Sequence, residues 1–195
     1  LHGAPVPIKG LARLLSDGEI DIGVVPSISW LDRQGDRIVP GVCIGSEGPV
    51  ASVALFTRRP MTEVRTVALD ASSRTSAALV RILCRRYFSI DPVFLTQSPD
   101  VSTMLAVADA ALLIGDPALF LDHRALGLQK IDLGGLWTGM TGLPFVWAFW
   151  SGRAEAASPA TVRRLQAAAK RGAGSIDTIA AEYCRSTPTC ELIAR

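Results

Sequence analysis

The sequence predicts an α/β protein of two lobes, and two patterns carry that reading. Between residues 66 and 121, apolar runs of strand length alternate with amphipathic stretches in the order strand, helix, strand, helix, strand, helix. That alternation is the mark of a compact parallel α/β lobe. A helix, a short loop and a strand across residues 7–25 make half of a second βαβ unit. Two extended strands join these segments, which predicts small lobes facing one another across a cleft, a common site for a small ligand. The expected partition sets residues 1–57 and 132–195 in one lobe and 58–131 in the other.

Each element has a local signal. Ile8, Leu11, Leu14 and Leu15 share one helical face between Pro7 and Asp17, and Gly18 is a natural stop. Glu19–Val25 reads as a strand running into Pro26-Ser27. Arg37–Ile44 and Val50–Thr57 are further strands, the second apolar on both faces as suits an inner strand. Val67–Leu69 is a buried strand, and Leu79, Ile82 and Leu83 then recur at helical spacing. Asp91-Pro92 marks a turn before the strand Val93–Leu95. Ser98-Pro99 reads as a helix start with Val101, Met104, Leu105 and Ala108 facing inward. Ala110–Ile114 is a buried strand, and Asp116-Pro117 opens a short helix. After Trp137–Pro144 comes the strand Phe145–Trp150, in which Trp147, like Trp137, is read as core. One helix runs from Ser158-Pro159 to Gly172, and another starts at Ser175.

Composition narrows the function classes. Half of the 195 residues are apolar and a fifth are charged, as in a globular protein. A net charge of +2 without a long basic run gives no reason to invoke nucleic acid. No apolar run reaches the roughly 18–20 residues of a membrane span, so no membrane partner is expected. Leu1-His2-Gly3-Ala4 shows no signal peptide, and a cytoplasmic protein is expected. The first residue is not Met, and the strand that should precede the first helix is missing. An N-terminal piece is therefore expected ahead of Leu1. Cys43, Cys84, Cys184 and Cys190 lack C-x-x-C spacing, and His2 and His123 complete a poor metal set. Cys43 and Cys84 are expected to be buried thiols, while a Cys184–Cys190 bridge is open in an oxidising compartment.

The stretch that organises these elements runs from Asp70 to Ser76. It places Ser72, Ser73, Thr75 and Ser76, with Arg74, where a helix begins after a strand. Backbone N–H groups there lack intrahelical acceptors, and the positive pole of the helix dipole favours an anion. Ordinary capping by one hydroxyl accounts for the stretch about as well.

Five blocks in order carry a resemblance. They are Gly18-Glu19-Ile20-Asp21-Ile22-Gly23 with Pro26-Ser27; Gly48-Pro49-Val50-Ala51-Ser52-Val53; Ser73-Arg74-Thr75-Ser76; Ala108–Asp116; and Trp137 with Thr141-Gly142-Leu143-Pro144-Phe145-Val146-Trp147-Ala148. Over residues 10–150 the chain resembles the chorismate dehydratases of menaquinone biosynthesis. The resemblance implies a two-lobed fold like the type II periplasmic solute-binding proteins, here N-terminally truncated. It implies a hydro-lyase that converts chorismate to 3-[(1-carboxyvinyl)oxy]benzoate, opening the futalosine route, with no cofactor and no metal. It further implies that the substrate's own enolpyruvyl carboxylate takes the proton, leaving the protein to position a dianion.

On this resemblance Ser52 is the catalytic serine near the reacting ring. Ser73, Arg74, Thr75 and Ser76 hold a carboxylate, and Ser27 contacts the substrate from the first lobe. Asp116 matches the family's Gly-Asp pair, although a helix cap explains it equally well. The family's N-terminal Tyr/Phe-Leu-Asn-type motif has no match here. The chain is thus either a fragment of the enzyme or a protein that begins here and has lost catalysis. A related dihydroxynaphthoate synthase would need a catalytic histidine, and His123 reads as an exposed loop residue. The other alternative is a non-catalytic solute-binding or ligand-sensing domain of the same fold.

Overall fold

The structure, a computed structural model, describes residues 8–32 and 35–186. Its elements keep the predicted order, with β7 and α5 added between α4 and β8: α1 (Ile8–Ser16), β1 (Ile22–Pro26), β2 (Asp36–Ser46), β3 (Val53–Thr57), β4 (Thr66–Asp70), α2 (Thr75–Arg86), β5 (Val93–Gln97), α3 (Val101–Val107), β6 (Ala110–Ile114), α4 (Asp116–Leu119), β7 (Gln129–Asp132), α5 (Leu133–Thr141), β8 (Phe145–Arg153), α6 (Pro159–Ala173) and α7 (Ile176–Ser186). His2 and Cys190 lie outside the described residues. Cys184 is disulfide-bonded.

The chain divides into two compact units. The first comprises Leu1–Val25, Arg33–Cys43 and Phe149–Arg195, and the second Pro26–Asp32 and Ile44–Ala148. In the first unit α1 buries Ala12 and Leu15 against Val25 of β1, with Ile20 and Phe149 beside them. Strands β1, β8 and β2 form a three-stranded sheet in that order. Ser158 caps α6 by accepting from Thr161 N at 3.2 Å, as its Ser-Pro start predicts.

The second unit is built on a five-stranded sheet in the order β5-β4-β6-β3-β7. Strand β4 pairs parallel with β5 and β6, whereas β3 runs antiparallel between β6 and β7. Side chains alternate across the sheet, so two cores form. On one face Val67, Leu69 and Leu112 meet Leu79, Val80 and Leu83 of α2 and Leu133 of α5. On the other, Ala68, Ala111, Leu113 and Phe56 meet Val101 and Met104 of α3. All five residues of β3 are buried, as an inner strand requires. Trp147 also joins a core.

Several sequence expectations need correcting. The sheet is mixed rather than purely parallel. Strand β3, grouped by sequence with residues 1–57, takes its partners from β6 and β7 and so lies in the second unit. Val50–Ser52 is a turn and not the start of β3, because the Asp132 carboxylate accepts from Val50 N and Ala51 N. Helix α3 starts at Val101 and not at Ser98-Pro99, because the Asp100 carboxylate accepts from Thr103 N at 2.7 Å. Cys43 is exposed rather than buried, since Val39 alone of the described β2 side chains is buried. Cys84 is buried as expected, and burial pushes its thiol up to about 11, which leaves it unreactive.

Candidate functional site

The strand directions gather the candidate residues at one edge of the five-stranded sheet. Strands β4, β5, β6 and β7 all end there, and antiparallel β3 begins there. From β4 the chain crosses through α2 to β5 on one side and then through α3 to β6 on the other. Neighbouring strands whose connections leave in opposite directions open a crevice at their carboxyl ends, where ligands bind in open α/β sheets. Helix α2 starts beside that crevice, and Gly115-Asp116 follows β6 into it.

At the start of α2 the hydroxyls serve the backbone first. Asp70, buried at the end of β4, accepts from Ser72 N at 2.7 Å and Ser72 Oγ at 2.6 Å. Arg74 already has helical dihedrals, φ −90° and ψ −49°. Ser73 Oγ accepts from Ser76 N at 3.3 Å. Ser73 therefore fills the N-cap position and satisfies one orphan donor. Thr75 and Ser76 are buried. Thr75 Oγ1 accepts from Ile28 N at 3.5 Å. Arg74 donates to Ser29 Oγ at 3.2 Å and to Asp32 at 2.8 Å.

These bonds tie the 3₁₀ turn Ser27–Asp32 to α2 and carry Ser27 into the same unit. The sequence had placed Ser27 in the opposite lobe. Its hydroxyl donates to Val146 O. An open cavity of about 340 Å³ lies here, lined by Ile28, Asp70, Ser73, Arg74, Arg81 and Thr96 among others. Ser52, Ser27 and Asp116 do not line it.

Ser52 sits at the other part of the edge, immediately before β3. Its carbonyl accepts from Gly115 N at 2.7 Å, which sets it beside the Gly115-Asp116 step. Ser52 N donates back to Val50 O at 2.6 Å, closing a three-residue turn centred on Ala51, whose φ is +58°. A γ-turn with positive φ is the rare, strained form. The clamp on this turn comes from Asp132, at the end of β7. Its carboxylate accepts from Val50 N at 3.0 and 3.1 Å, from Ala51 N at 2.6 Å and from Gly135 N at 2.9 Å. Thr138 Oγ1 accepts from Gly48 N at 2.9 Å.

Asp132 is the site residue that sequence reasoning missed. An Asp before a Gly-rich run is a cap signal. Its second role, 81 residues away at Ala51, has no local sequence trace.

Two further polar residues serve structure. Asp109 accepts from Arg65 N, Thr66 N and Thr66 Oγ1 at 2.9–3.0 Å, and these bonds hold its carboxyl below the usual range. His123, expected in an exposed loop, is half-buried edge-on to Phe56. Burial, with Lys130 and Arg124 nearby, lowers its pKa. No cluster of His, Cys, Asp and Glu suited to a metal occurs among the described residues.

Comparison with solved structures defines the class. Protein AF1704 from Archaeoglobus fulgidus superposes with a TM-score of 0.64 at 18% identity, covering 94% of this chain and 71% of that one. An ABC transporter protein from Parabacteroides distasonis gives 0.56 at 19% identity, covering 97% and 71%. The fold is that of the type II periplasmic-binding-protein-like α/β proteins. Residues 4–189 match the family model described as menaquinone biosynthesis, and the chain belongs to that family. A chorismate dehydratase from Thermus thermophilus is 30% identical over 202 residues, spanning 95% of this chain and 73% of that protein.

Proposed function

We propose that this chain acts in menaquinone biosynthesis as a chorismate dehydratase, a carbon–oxygen lyase. It would eliminate water from chorismate to give 3-[(1-carboxyvinyl)oxy]benzoate, in the cytoplasm and on the futalosine route. The observation that carries the reading is the 30% identity to a chorismate dehydratase across 95% of the chain.

The chemistry suits the residues present. Elimination breaks a ring C–O bond and a ring C–H bond, and aromatisation drives it. A dianionic substrate needs oriented N–H and O–H donors more than a strong protein base. Arg74 has five N–H donors, and its contacts to Ser29 and Asp32 leave others for a carboxylate. Ser73, Thr75 and Ser76 surround the helix start, where the dipole favours the same charge. Ser52 and Asp116 flank the neighbouring strand ends and face the ring in this reading, with Ser27 as a further contact. The substrate's own carboxylate takes the proton.

The test is incubation of the purified protein with chorismate, following loss of 18 mass units (one water) and the new aromatic absorbance. Chorismate that binds unchanged would instead mark a solute-binding domain. Ser52→Ala should slow turnover by about 10²-fold, the usual cost of one preorganised donor. Unchanged turnover would remove Ser52 from the site.

A further inference from the structure

We infer that Asp132 is a positioning residue that holds Ser52 for the reaction, an inference that rests on the proposed role of Ser52. Two independent observations converge on it. The first is strain: Ala51 holds φ at +58° inside a turn closed by Ser52 N on Val50 O at 2.6 Å. A non-glycine residue persists there only when its surroundings over-determine it, and such sites cluster where geometry serves function.

The second observation is the clamp. One carboxylate takes the N–H groups of Val50, Ala51 and Gly135, at 2.6–3.1 Å. It thereby fastens the turn to the first turn of α5. The same helix turn leaves no room for slack, because a Cβ on Gly134 would lie 2.6 Å from Gly48 O and 3.0 Å from Ser46 Oγ. Ser46 Oγ in turn accepts from Trp147 Nε1 at 3.1 Å. A cap for α5 needs only the bond to Gly135; the bonds to Val50 and Ala51 are surplus to capping and set the direction of the residue that follows. Asp132 reaches Ser52 only through the backbone N–H groups of Val50 and Ala51 that precede it.

A double-mutant cycle with Asp132→Asn and Ser52→Ala in the full chain tests this. Asp132→Asn should lower kcat by about 10–100-fold with KM changed only a few-fold, as expected when a reacting group is misplaced. In the Ser52→Ala background that loss should shrink to less than about 3-fold, the non-additivity of two residues acting as one. Amide hydrogen exchange at Ala51 and Ser52 should speed up in Asp132→Asn while α2 and α3 keep their protection.

An equal loss of kcat in both backgrounds would overturn the positioning role and leave the Ser52 reading intact. A neutral Ser52→Ala in an active enzyme would overturn the Ser52 reading, and the positioning role with it. Unchanged exchange at Ala51 and Ser52 would refute the clamp whatever the activity. If Asp132→Asn does not fold, Asp132→Glu keeps the charge and moves the carboxylate by one methylene. The same coupling to Ser52 is then required.

Discussion

Changing Gly134 to Ala probes the packing on which the Ser52 turn depends. Within a helix this substitution ordinarily stabilises by up to about 1 kcal/mol. Here the new Cβ would lie 2.6 Å from the backbone oxygen of Gly48 and 3.3 Å from Val50 Cβ. Restoring even a 3.0 Å contact to that oxygen needs the loop to retreat by 3.0 − 2.6 = 0.4 Å. That retreat pulls on the bonds from Gly48 N to Thr138 and from Val50 and Ala51 to Asp132.

Overpacking of this kind costs about 1–3 kcal/mol. Each stretched hydrogen bond adds up to about 1 kcal/mol. With about 1 kcal/mol lost from the stretched bonds together, which cancels the helix gain, the net loss is about 1–3 kcal/mol, or roughly 2–12 °C in Tm for a chain of this size. Gly139 in the same helix is the control, since a Cβ there meets nothing within 4 Å. Gly139→Ala should raise Tm by about 1–4 °C through helix propensity alone. Thermal unfolding of the two variants beside the wild type decides the matter. If Gly134→Ala raises Tm as much as Gly139→Ala does, the close approach of α5 to the loop is refuted.

Two further outcomes follow from the polar residues of the second unit. Asp109→Ala leaves the N–H groups of Arg65 and Thr66 without their acceptor and should cost about 2–3 kcal/mol, read from urea unfolding. A loss under about 0.5 kcal/mol would show that water replaces the carboxylate. Because its folded pKa is lowered, Asp109 adds stability above its unfolded value near 3.8, and this is lost as pH falls through the folded value. His123 acts in the same sense in a higher pH window. Burial lowers its folded pKa below 6.5, so the unfolded chain takes up a proton first and stability drops as pH falls below about 6.5. His123→Leu should flatten the urea midpoint between pH 7 and pH 5.5. An equally steep fall in that variant would assign the acid sensitivity elsewhere.

Where a signal was local, it could be read. Ser158-Pro159 marks the start of α6 because a cap needs only a side chain and an amide three residues on. The alternation over residues 66–121 becomes β4 to α4 in order, since each strand or helix face is set by its own apolar spacing. Asp100 displaced Ser98 as the cap of α3 because a carboxylate is the stronger acceptor. Helix α5 has no helical signal in the sequence. Three glycines among its nine residues argue against a helix, and only the crowding of Gly134 against Gly48 explains one of them.

The sequence by itself determined the α/β class, the order of the elements other than β7 and α5, and the set of hydroxyl residues around Ser73. Those depend on periodicity and capping, which act over a few residues. Tertiary structure decided the rest. It put β3 between β6 and β7, exposed Cys43 on β2, and drew Ser27 to α2 through Arg74 and Thr75. Above all, it bent Val50–Ser52 out of its apparent strand. A strand pattern there was genuine, but three backbone bonds to Asp132, 82 and 81 residues away, outweigh the preference of Val50 and Ala51 for extended backbone. Interactions at that separation leave no period in the sequence, because they form only once the sheet has brought β3 and β7 side by side.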